Sequence, residues 1–185
     1  MCYVQEIMSK KKLLWMDLEM TGLDEKNDQI LEIAAIVTDA ELRPLDQKHY
    51  VIYQPQTVLE GMNDWCKLHH GKSGLTALVP SGTPLSTAEK ELTEWVETHF
   101  GKKHGKDGAV LAGNSIHNDR RFIDTHMPAF AKTLHYRMVD VSSFKEIFRE
   151  RYNVKYEKKN AHRAIDDLHE SIAELSHYLS FVKIG

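Results

Sequence analysis

The sequence predicts a mixed α/β fold in which helices cover a β-sheet. Three apolar runs with strand-like composition come first in the chain, joined by short links that contain turn residues. Further strand-like runs then alternate with stretches whose apolar residues recur at helical spacing. Three antiparallel strands followed by alternating strands and helices are typical of a mixed sheet with helices on its faces.

The first run, residues 13–23, reads LLWMDLEMTGL and is predicted to be a central strand. Apolar residues occupy both of its faces, as is usual for a strand buried inside a sheet. Asp17 and Glu19 are two positions apart, so a strand places both carboxylates on one face. Thr21 and Gly22 form a turn signal that ends the strand. Paired oxygen ligands at this spacing suit Mg²⁺ or Mn²⁺, although a strand with a solvated acidic face carries the same pattern.

Two more strands and a helix complete the first half of the chain. Residues 29–38 (QILEIAAIVT) and 48–54 (KHYVIYQ) are rich in β-branched and aromatic residues, and their short links predict an antiparallel meander. Residues 58–70 carry apolar side chains at helical spacing and are predicted to be helical.

The second half alternates between helix and strand patterns. A capping box at Ser86-x-x-Glu89 predicts the start of a helix that ends at Gly101. Residues 109–113 (AVLAG) predict a short buried strand, and a helix follows from about Ile116 until Pro128 breaks it.

The remaining elements are one strand and two helices. The strand is predicted over residues 136–141, and Ser143-x-x-Glu146 is a second capping box that predicts the start of the next helix. The last helix is predicted from about Ala164, where apolar residues recur at near-heptad spacing.

Length and composition indicate an ordinary globular protein. The chain has 185 residues, of which 42% are hydrophobic and 28% charged. We expect one domain over residues 10–185, preceded by a disordered extension over residues 1–9. No apolar run approaches the ~20 residues of a membrane helix, so no membrane partner is expected. The two cysteines are too few for a disulfide scaffold, which favours a reducing compartment such as the cytoplasm.

The net charge of −3 argues against a protein that grips long nucleic acid. Affinity for long strands and duplexes comes from neutralising many phosphates and usually shows as a basic excess. The basic clusters in this chain are short, so a nucleic-acid substrate, if there is one, is expected to be short rather than a long duplex.

Three further residues are candidates for the same site as Asp17 and Glu19. Asp119 follows the fourth predicted strand near a helix start, where α/β sheets place ligands. His162 and Asp167 are five residues apart, so they converge only if His162 lies in the loop before the last helix. Each has a simpler reading as well: the two acids complement helix dipoles, and the histidine lies on the surface.

Together, the four acids and the histidine indicate a more specific function than any of them does alone. Three or four carboxylates can hold two Mg²⁺ ions ~3.5–4 Å apart, the arrangement that hydrolyses phosphodiesters by in-line attack. A histidine with an ordinary pKa of ~6.5 is suited to accept the proton of the attacking water. The sequence therefore predicts a metal-dependent hydrolase of phosphodiesters.

Three motifs together resemble the oligoribonuclease family: residues 17–22 (DLEMTG), 113–119 (GNSIHND) and 162–167 (HRAIDD). That family belongs to the DEDDh exonucleases, which share the ribonuclease-H-like fold. The resemblance extends over almost the whole chain, including residues 64–75 and 135–142. It implies that the predicted sheet is of the ribonuclease-H-like type.

The resemblance implies a complete set of catalytic residues, namely Asp17, Glu19, Asp119 and Asp167 as ligands of two Mg²⁺ or Mn²⁺ ions and His162 as the general base. The H-x₄-D spacing of the superfamily selects Asp167 over its neighbour Asp166.

The resemblance also implies seven substrate contacts: Leu23 as an apolar wedge between two bases, Trp65 and His70 in the substrate pocket, Ser115, Arg137 and Ser142 as a cap on the 5′-phosphate, and Tyr136 from a partner subunit. Apolar and aromatic side chains stack on bases without reading sequence, and arginine binds phosphate with two parallel donors. Without the resemblance, core packing would be the simpler role for Leu23, Trp65 and Tyr136.

The resemblance thus predicts a 3′→5′ exoribonuclease that degrades very short oligoribonucleotides, especially dinucleotides, to nucleoside 5′-monophosphates. It also implies a homodimer. Two alternatives remain open at the level of sequence: a proofreading or repair exonuclease for longer DNA or RNA, and a non-catalytic nucleic-acid-binding domain of the same fold.

Overall fold

The computed structural model describes residues 12–157 and 163–183. Within them the chain forms one five-stranded sheet of order β3-β2-β1-β4-β5. Its strands are β1 (Leu13–Met20), β2 (Ile30–Thr38), β3 (Pro44–Val51), β4 (Ala109–Gly113) and β5 (Leu134–Asp140). The β1–β2 and β2–β3 pairs are antiparallel, whereas β1–β4 and β4–β5 are parallel. The predicted mixed sheet, with three antiparallel strands first, is therefore confirmed.

Helices connect and cover the strands. They are α1 (Gln56–Gly61), α2 (Asp64–Lys72), α3 (Leu75–Leu78), α4 (Leu85–Phe100), α5 (His117–His126), α6 (Pro128–Ala131), α7 (Val141–Tyr152) and α8 (Ala164–Leu179). Short 3₁₀ turns follow at Val79–Ser81 and Gly105–Asp107. None of the helices in the described ranges is long and apolar enough to cross a bilayer.

Strand β1 lies at the centre of the sheet and separates two hydrophobic cores. Leu14 and Met16 pack with α4 and α5 on one side, and Trp15 packs with α7 and α8 on the other. All three side chains are fully buried, which confirms the predicted central strand. Because strand side chains alternate, Asp17 and Glu19 share the Trp15 face and point toward the α8 side.

Two predicted strands are displaced by a few residues. The third was expected at residues 48–54 but spans Pro44–Val51, because its pairing with β2 continues from Glu32↔Val51 to Thr38↔Pro44. The fifth was expected at residues 136–141 but spans Leu134–Asp140, because its pairing with β4 runs from Ala109↔Leu134 to Gly113↔Asp140. In both cases backbone pairing with a neighbouring strand, rather than apolar composition, sets the strand ends.

Both predicted capping boxes are wrong. Helix α4 begins after Pro84, and the Oε1 atom of Glu89 instead accepts the backbone N–H groups of Ala129 and Phe130 at 2.7 and 3.2 Å. Helix α7 is capped by Asp140, whose side chain accepts the N–H of Ser142 at 2.9 Å. Glu89 is thus engaged by a distant segment, whereas Glu146 of the second predicted box pairs with Arg149 of its own helix.

The helix predicted over residues 58–70 is two helices, α1 and α2. Asn63 separates them and caps α2, since its Oδ1 accepts the N–H of Cys66 at 2.8 Å. The helix break at Pro128 and the start of the last helix at Ala164 agree with the sequence. Residues 1–9, the expected extension, lie outside the described residues, so the proposed domain boundary stays a prediction.

Gly113 allows β4 to approach β1 where the acidic residues lie. A Cβ at this position would lie 2.8 Å from the carbonyl oxygen of Met16 and 3.0 Å from Ile116 Cδ1. We expect Gly113→Ala to lower the free energy of unfolding by ~1–3 kcal/mol, because backbone cannot yield as a flexible side chain can. Chemical denaturation would measure this.

Gly71→Ala is the matched control for that substitution. Gly71 lies in α2, and a Cβ there would meet nothing within 4 Å. This change should stabilise the protein by ~0.5–1 kcal/mol, since alanine is the better helix former. Equal effects of the two changes would contradict the role assigned to Gly113.

Candidate active site

Three carboxylates from distant parts of the chain meet on the α8 side of the sheet. Each of Asp17, Glu19 and Asp167 offers an oxygen, and these oxygens lie within 4.8 Å of one another. The first two project from β1, and Asp167 projects from the first turn of α8. The predicted convergence of Asp167 with the β1 pair is thereby observed, whereas its neighbour Asp166 is exposed.

Asp119 lies beside this trio at the start of α5. Its side chain is 6% exposed, and its Oδ1 accepts the backbone N–H of Leu18 at 2.8 Å. Leu18 lies between Asp17 and Glu19 in sequence, so this bond ties the helix start to the acidic stretch of β1. Asp119 is thus the fourth acid of the same region, as predicted, although it is not one of the three whose oxygens cluster.

Burial and mutual repulsion make the negative charge of these acids costly. Burial, followed by the charges of Asp167, Glu32 and Asp119, raises the pKa of Glu19 to about 8, against a smaller opposing effect of Arg163. Burial also raises the pKa of Asp119 to about 7, despite its hydrogen bond from Leu18. A cation placed among them would remove this penalty, so the acids fit a hard divalent metal ion.

Glu32 is a buried acid beside the site that the sequence reasoning missed. It lies directly across the β1–β2 ladder from Glu19 and is fully buried. Its Oε1 accepts from Arg163 Nε and Nη2 at 2.9 and 2.6 Å and from His49 Nε2 at 2.7 Å. Its Oε2 accepts the N–H of Ala164 at 3.1 Å. The available signal was a single acid inside the apolar run ILEIAAIVT.

These donors set the protonation state of Glu32. Burial alone would raise its pKa, but the hydrogen bonds from His49, Arg163 and Ala164 outweigh burial and lower the pKa to about 2. Arg163 in turn has a raised pKa, because it donates to Glu32. Glu32 and Arg163 therefore form a charged pair at the start of α8.

A cavity of about 500 Å³ opens next to Glu19. Its lining includes three of the predicted substrate contacts, namely Leu23, Trp65 and His70. Leu23 and Trp65 are 66% and 61% exposed, so neither packs in the core. The Trp65 ring stacks on His69 with 3.8 Å between ring centroids, which holds it at the edge of the cavity. The volume lies within the usual range of ligand pockets.

His70 is buried at the inner side of this cavity. Its Nε2 donates to the Met20 carbonyl at 2.9 Å, since a carbonyl can only accept, and its Nδ1 lies 3.8 Å from Glu19 Oε2. Burial lowers the pKa of His70. The side chain therefore buttresses the end of β1 and presents a largely buried edge to the cavity.

Ser115 and Ser142, two residues of the predicted phosphate cap, are in direct contact. Their Oγ atoms lie 3.2 Å apart, and the N–H of Ser115 donates to Ser142 Oγ and to Asp140 Oδ1 at 3.0 Å each. Ser115 has a φ of 49°, in the left-handed region that non-glycine residues seldom adopt. These contacts hold the strained backbone in place.

Asn114 fixes the orientation of this serine pair. Its Nδ2 donates to Ser171 Oγ at 2.8 Å and to Glu174 Oε2 at 3.0 Å, so its Oδ1 faces Ser142 and accepts the hydroxyl proton at 3.1 Å. Ser171 Oγ also donates to the carbonyl of Asp167 at 2.8 Å. The serine pair is thereby connected to the helix that carries the acidic trio.

Arg137 and Tyr136 lie together on β5. The Arg137 guanidinium carbon lies 5.3 Å from the centroid of the Tyr136 ring, which is 64% exposed. Within the described part of the chain, neither side chain is hydrogen-bonded to Ser115 or Ser142. His162 lies outside the described residues, so its role as the general base stays a prediction.

Sequence comparison identifies close relatives. The family model RNase_T, described as an exonuclease, matches residues 14–175. The mitochondrial oligoribonuclease of Mus musculus is 47% identical over 175 residues, covering 91% of this chain and 72% of that protein. The probable oligoribonuclease of Dictyostelium discoideum is 48% identical, covering 91% and 88%. The oligoribonuclease of Hydrogenovibrio crunogenus is 46% identical, covering 92% and 93%.

Structure comparison finds a similar fold in Escherichia coli exonuclease I. In its complex with a dA16 oligonucleotide the TM-score is 0.67 at 12% identity, with 92% of this chain matched. The match spans only 41% of the exonuclease I chain, so this likeness concerns the fold. The sequence relatives, however, match over most of their length at 46–48% identity. The chain therefore belongs to the oligoribonuclease family of RNase_T exonucleases.

Proposed function

We propose that this protein is a 3′→5′ exoribonuclease that hydrolyses very short oligoribonucleotides, especially dinucleotides, to nucleoside 5′-monophosphates. Its membership of the oligoribonuclease family supports the activity and the substrate class. The observation that carries the proposal is the convergence of Asp17, Glu19 and Asp167 beside a cavity lined by Leu23, Trp65 and His70.

The acids are suited to two Mg²⁺ or Mn²⁺ ions, held by Asp17, Glu19, Asp119 and Asp167. Such ions lower the pKa of the attacking water and stabilise the leaving 3′-oxygen. In support of this, oxygens of Asp17, Glu19 and Asp167 lie within 4.8 Å of one another, and Asp119 on α5 contacts the backbone of β1 beside them. The bond from Leu18 to Asp119 and the packing of α8 against the sheet hold them in place.

His162 is proposed as the general base. It immediately precedes Arg163, which is bound to Glu32 beside the acidic trio. As a neutral imidazole, it would accept the proton of the attacking water. Exposed Leu23 and Trp65 would contact the two bases across the cavity, and stacking contacts of this kind tolerate any base sequence.

Ser115, Ser142 and Arg137 are proposed to hold the 5′-phosphate. The hydroxyl of Ser142 donates its hydrogen bond to Asn114, so the hydroxyl of Ser115 is the group that can turn toward a phosphate. A site that binds the terminal phosphate from several sides leaves no exit for a longer strand. Binding the end in this way aligns the scissile bond with the acids.

A homodimer is proposed as the active assembly. Tyr136 is well exposed, and Arg137 is held next to its ring, so a partner subunit could receive this aromatic side chain against a base. The low cysteine count supports a reducing compartment such as the cytoplasm, while the mouse relative is named as mitochondrial.

A second candidate activity is hydrolysis of longer strands. The fold similarity to exonuclease I bound to dA16 is the observation that favours it. The effect of a 5′-phosphate on the cleavage rate distinguishes this activity from the dinucleotide activity. Only a short substrate benefits when Ser115, Arg137 and Ser142 bind its 5′-phosphate.

Asp167→Asn should abolish turnover, because the acidic trio cannot lose a charged ligand and still hold two cations. Asp166→Asn is the matched control: it alters the adjacent, exposed acid and should leave kcat near the wild-type value. Steady-state kcat on a dinucleotide at saturating Mg²⁺ measures both. Greater damage from Asp166→Asn would reverse the assignment.

Mg²⁺ should stabilise the protein more at about pH 9 than at about pH 6. The pKa of Glu19 rises from 4.5 to about 8 on folding, so the folded state binds this proton more tightly than the unfolded chain. The metal-free fold therefore loses stability as pH rises from 4.5 to 8, and Mg²⁺ offsets that loss by binding the charged form. Free Mg²⁺ at ~100 times its Kd should add ~2.7 kcal/mol.

Thermal melts in EDTA and in Mg²⁺ at the two pH values test this dependence. Glu19→Gln should lose the Glu19 part of the pH dependence of the metal-free protein, whereas the part from Asp119, whose pKa is raised to about 7, should remain. Glu32 does not interfere, because its lowered pKa makes its contribution complete above 4.5 and lost only as pH falls toward 2. Equal stabilisation by Mg²⁺ at both pH values would contradict the cation site.

Arg137→Ala should remove most of the advantage of a 5′-phosphate. A charge-assisted Arg–phosphate contact is worth ~1.5–3 kcal/mol, so the loss in kcat/KM should be roughly ten- to a hundredfold. The measurement compares dinucleotides with and without a 5′-phosphate and a ten-nucleotide RNA. Arg43→Ala is the control, since that arginine is exposed and paired with Asp39. Preference of the wild type for the long RNA would favour the second candidate activity.

A further inference from the structure

Glu32 lies close to the acids proposed to bind metal, but it differs from them in the hydrogen bonds that it accepts. Opposed residues of an antiparallel ladder place their side chains on the same face, with Cβ atoms ~5 Å apart. Glu32 and Glu19 are such a pair, yet the oxygens of Glu32 are occupied by four donors from His49, Arg163 and Ala164. With this many donors, Glu32 is already satisfied and is not a ligand itself.

Two of these partners are the residues at which α8 begins. Arg163 is the N-cap position of the helix, and Ala164 is its first residue. The carbonyl of Arg163 in turn accepts the N–H groups of Asp166 and Asp167 at 3.0 Å each. A continuous path of hydrogen bonds therefore runs from Glu32, through Arg163, to the backbone of Asp167.

We propose that Glu32 and Arg163 form an anchor that positions Asp167 for cation binding. The anchor fixes the first turn of α8 against β2, so that the Asp167 carboxylate faces Asp17 and Glu19. Glu32 is a positioning residue in this arrangement, because it acts through Asp167. The inference rests on the proposed function, since it takes Asp167 to be a metal ligand.

A test of this anchor must distinguish the effect of the Glu32 and Arg163 charges from their effect on the position of Asp167. Arg163 lies near enough to Glu19 to stabilise its negative charge. Removing only the Glu32 charge would leave an unpaired guanidinium beside Glu19 and weaken cation binding by repulsion alone. The double variant Glu32→Gln/Arg163→Gln removes one charge of each sign, so its net charge is unchanged and any remaining loss reports position.

The experiment is calorimetric titration of the full-length protein with Mn²⁺, without substrate. Loss of residues that orient metal ligands typically weakens metal binding by ~10–100-fold. We expect the double variant to bind Mn²⁺ at least about tenfold more weakly than wild type, and the Glu32→Gln single variant to bind more weakly still. In turnover assays, raised Mn²⁺ should restore kcat of the double variant. Wild-type affinity in the folded double variant would overturn the anchor.

Asp46→Asn is the matched control. Asp46 lies on β3 of the same sheet and accepts from Trp95 and His99 at 2.7 and 3.0 Å, so its replacement also removes a hydrogen-bonded acid. Its Mn²⁺ affinity should equal that of the wild type. If the control loses as much Mn²⁺ affinity as the double variant, the effect is not specific to Glu32 and Arg163, and the anchor is overturned.

A second variant applies if the double variant is unfolded by circular dichroism. Arg163→Lys keeps the positive charge but lacks the fork of donors that binds Glu32, and the Arg163 side chain is partly exposed. Weakened Mn²⁺ binding by Arg163→Lys supports the anchor, and unchanged binding overturns it. Failure of the proposed function gives a different result, in which Asp167→Asn binds Mn²⁺ as tightly as wild type.

Discussion

Like-charged carboxylates crowded on one buried face of β1 are the constraint on which this structure depends. Asp17 and Glu19 share that face because strand side chains alternate, and α8 adds Asp167 to the same space. The raised pKa of Glu19 is the physical sign of the resulting repulsion. Such a cluster lowers the stability of the fold when its carboxylates are charged, but it is suited to a site that binds divalent cations.

Two opposed glutamates show how the fold assigns different roles to identical side chains. Glu32 receives donors on both oxygens and has its pKa lowered to about 2, whereas Glu19, directly across the ladder, has its pKa raised to about 8. The first acid is satisfied within the protein and ties α8 to the sheet. The second carries a negative charge only at a free-energy cost, and a bound cation would remove that cost. Hydrogen-bond supply, rather than residue type, makes the difference.

The serine pair, Ser115 and Ser142, is also held by hydrogen bonds that lead to α8. Asn114 can orient its amide in only one way, since Glu174 and Ser171 accept from its nitrogen, and this directs its oxygen to Ser142. The same helix, α8, carries Asp167, Ser171 and Glu174. One helix therefore supports both the acidic trio and the serine pair.

The sequence by itself determined the mixed sheet, the central strand and the acids, because alternation and helical spacing report which faces are buried. It did not locate the ends of β3 and β5, and it assigned Glu89 to a helix cap that it does not make. It also missed Glu32, which looks like any single acid in an apolar run. These points were decided only by the tertiary structure, because strand pairing and hydrogen-bond partners come from residues far away in the chain.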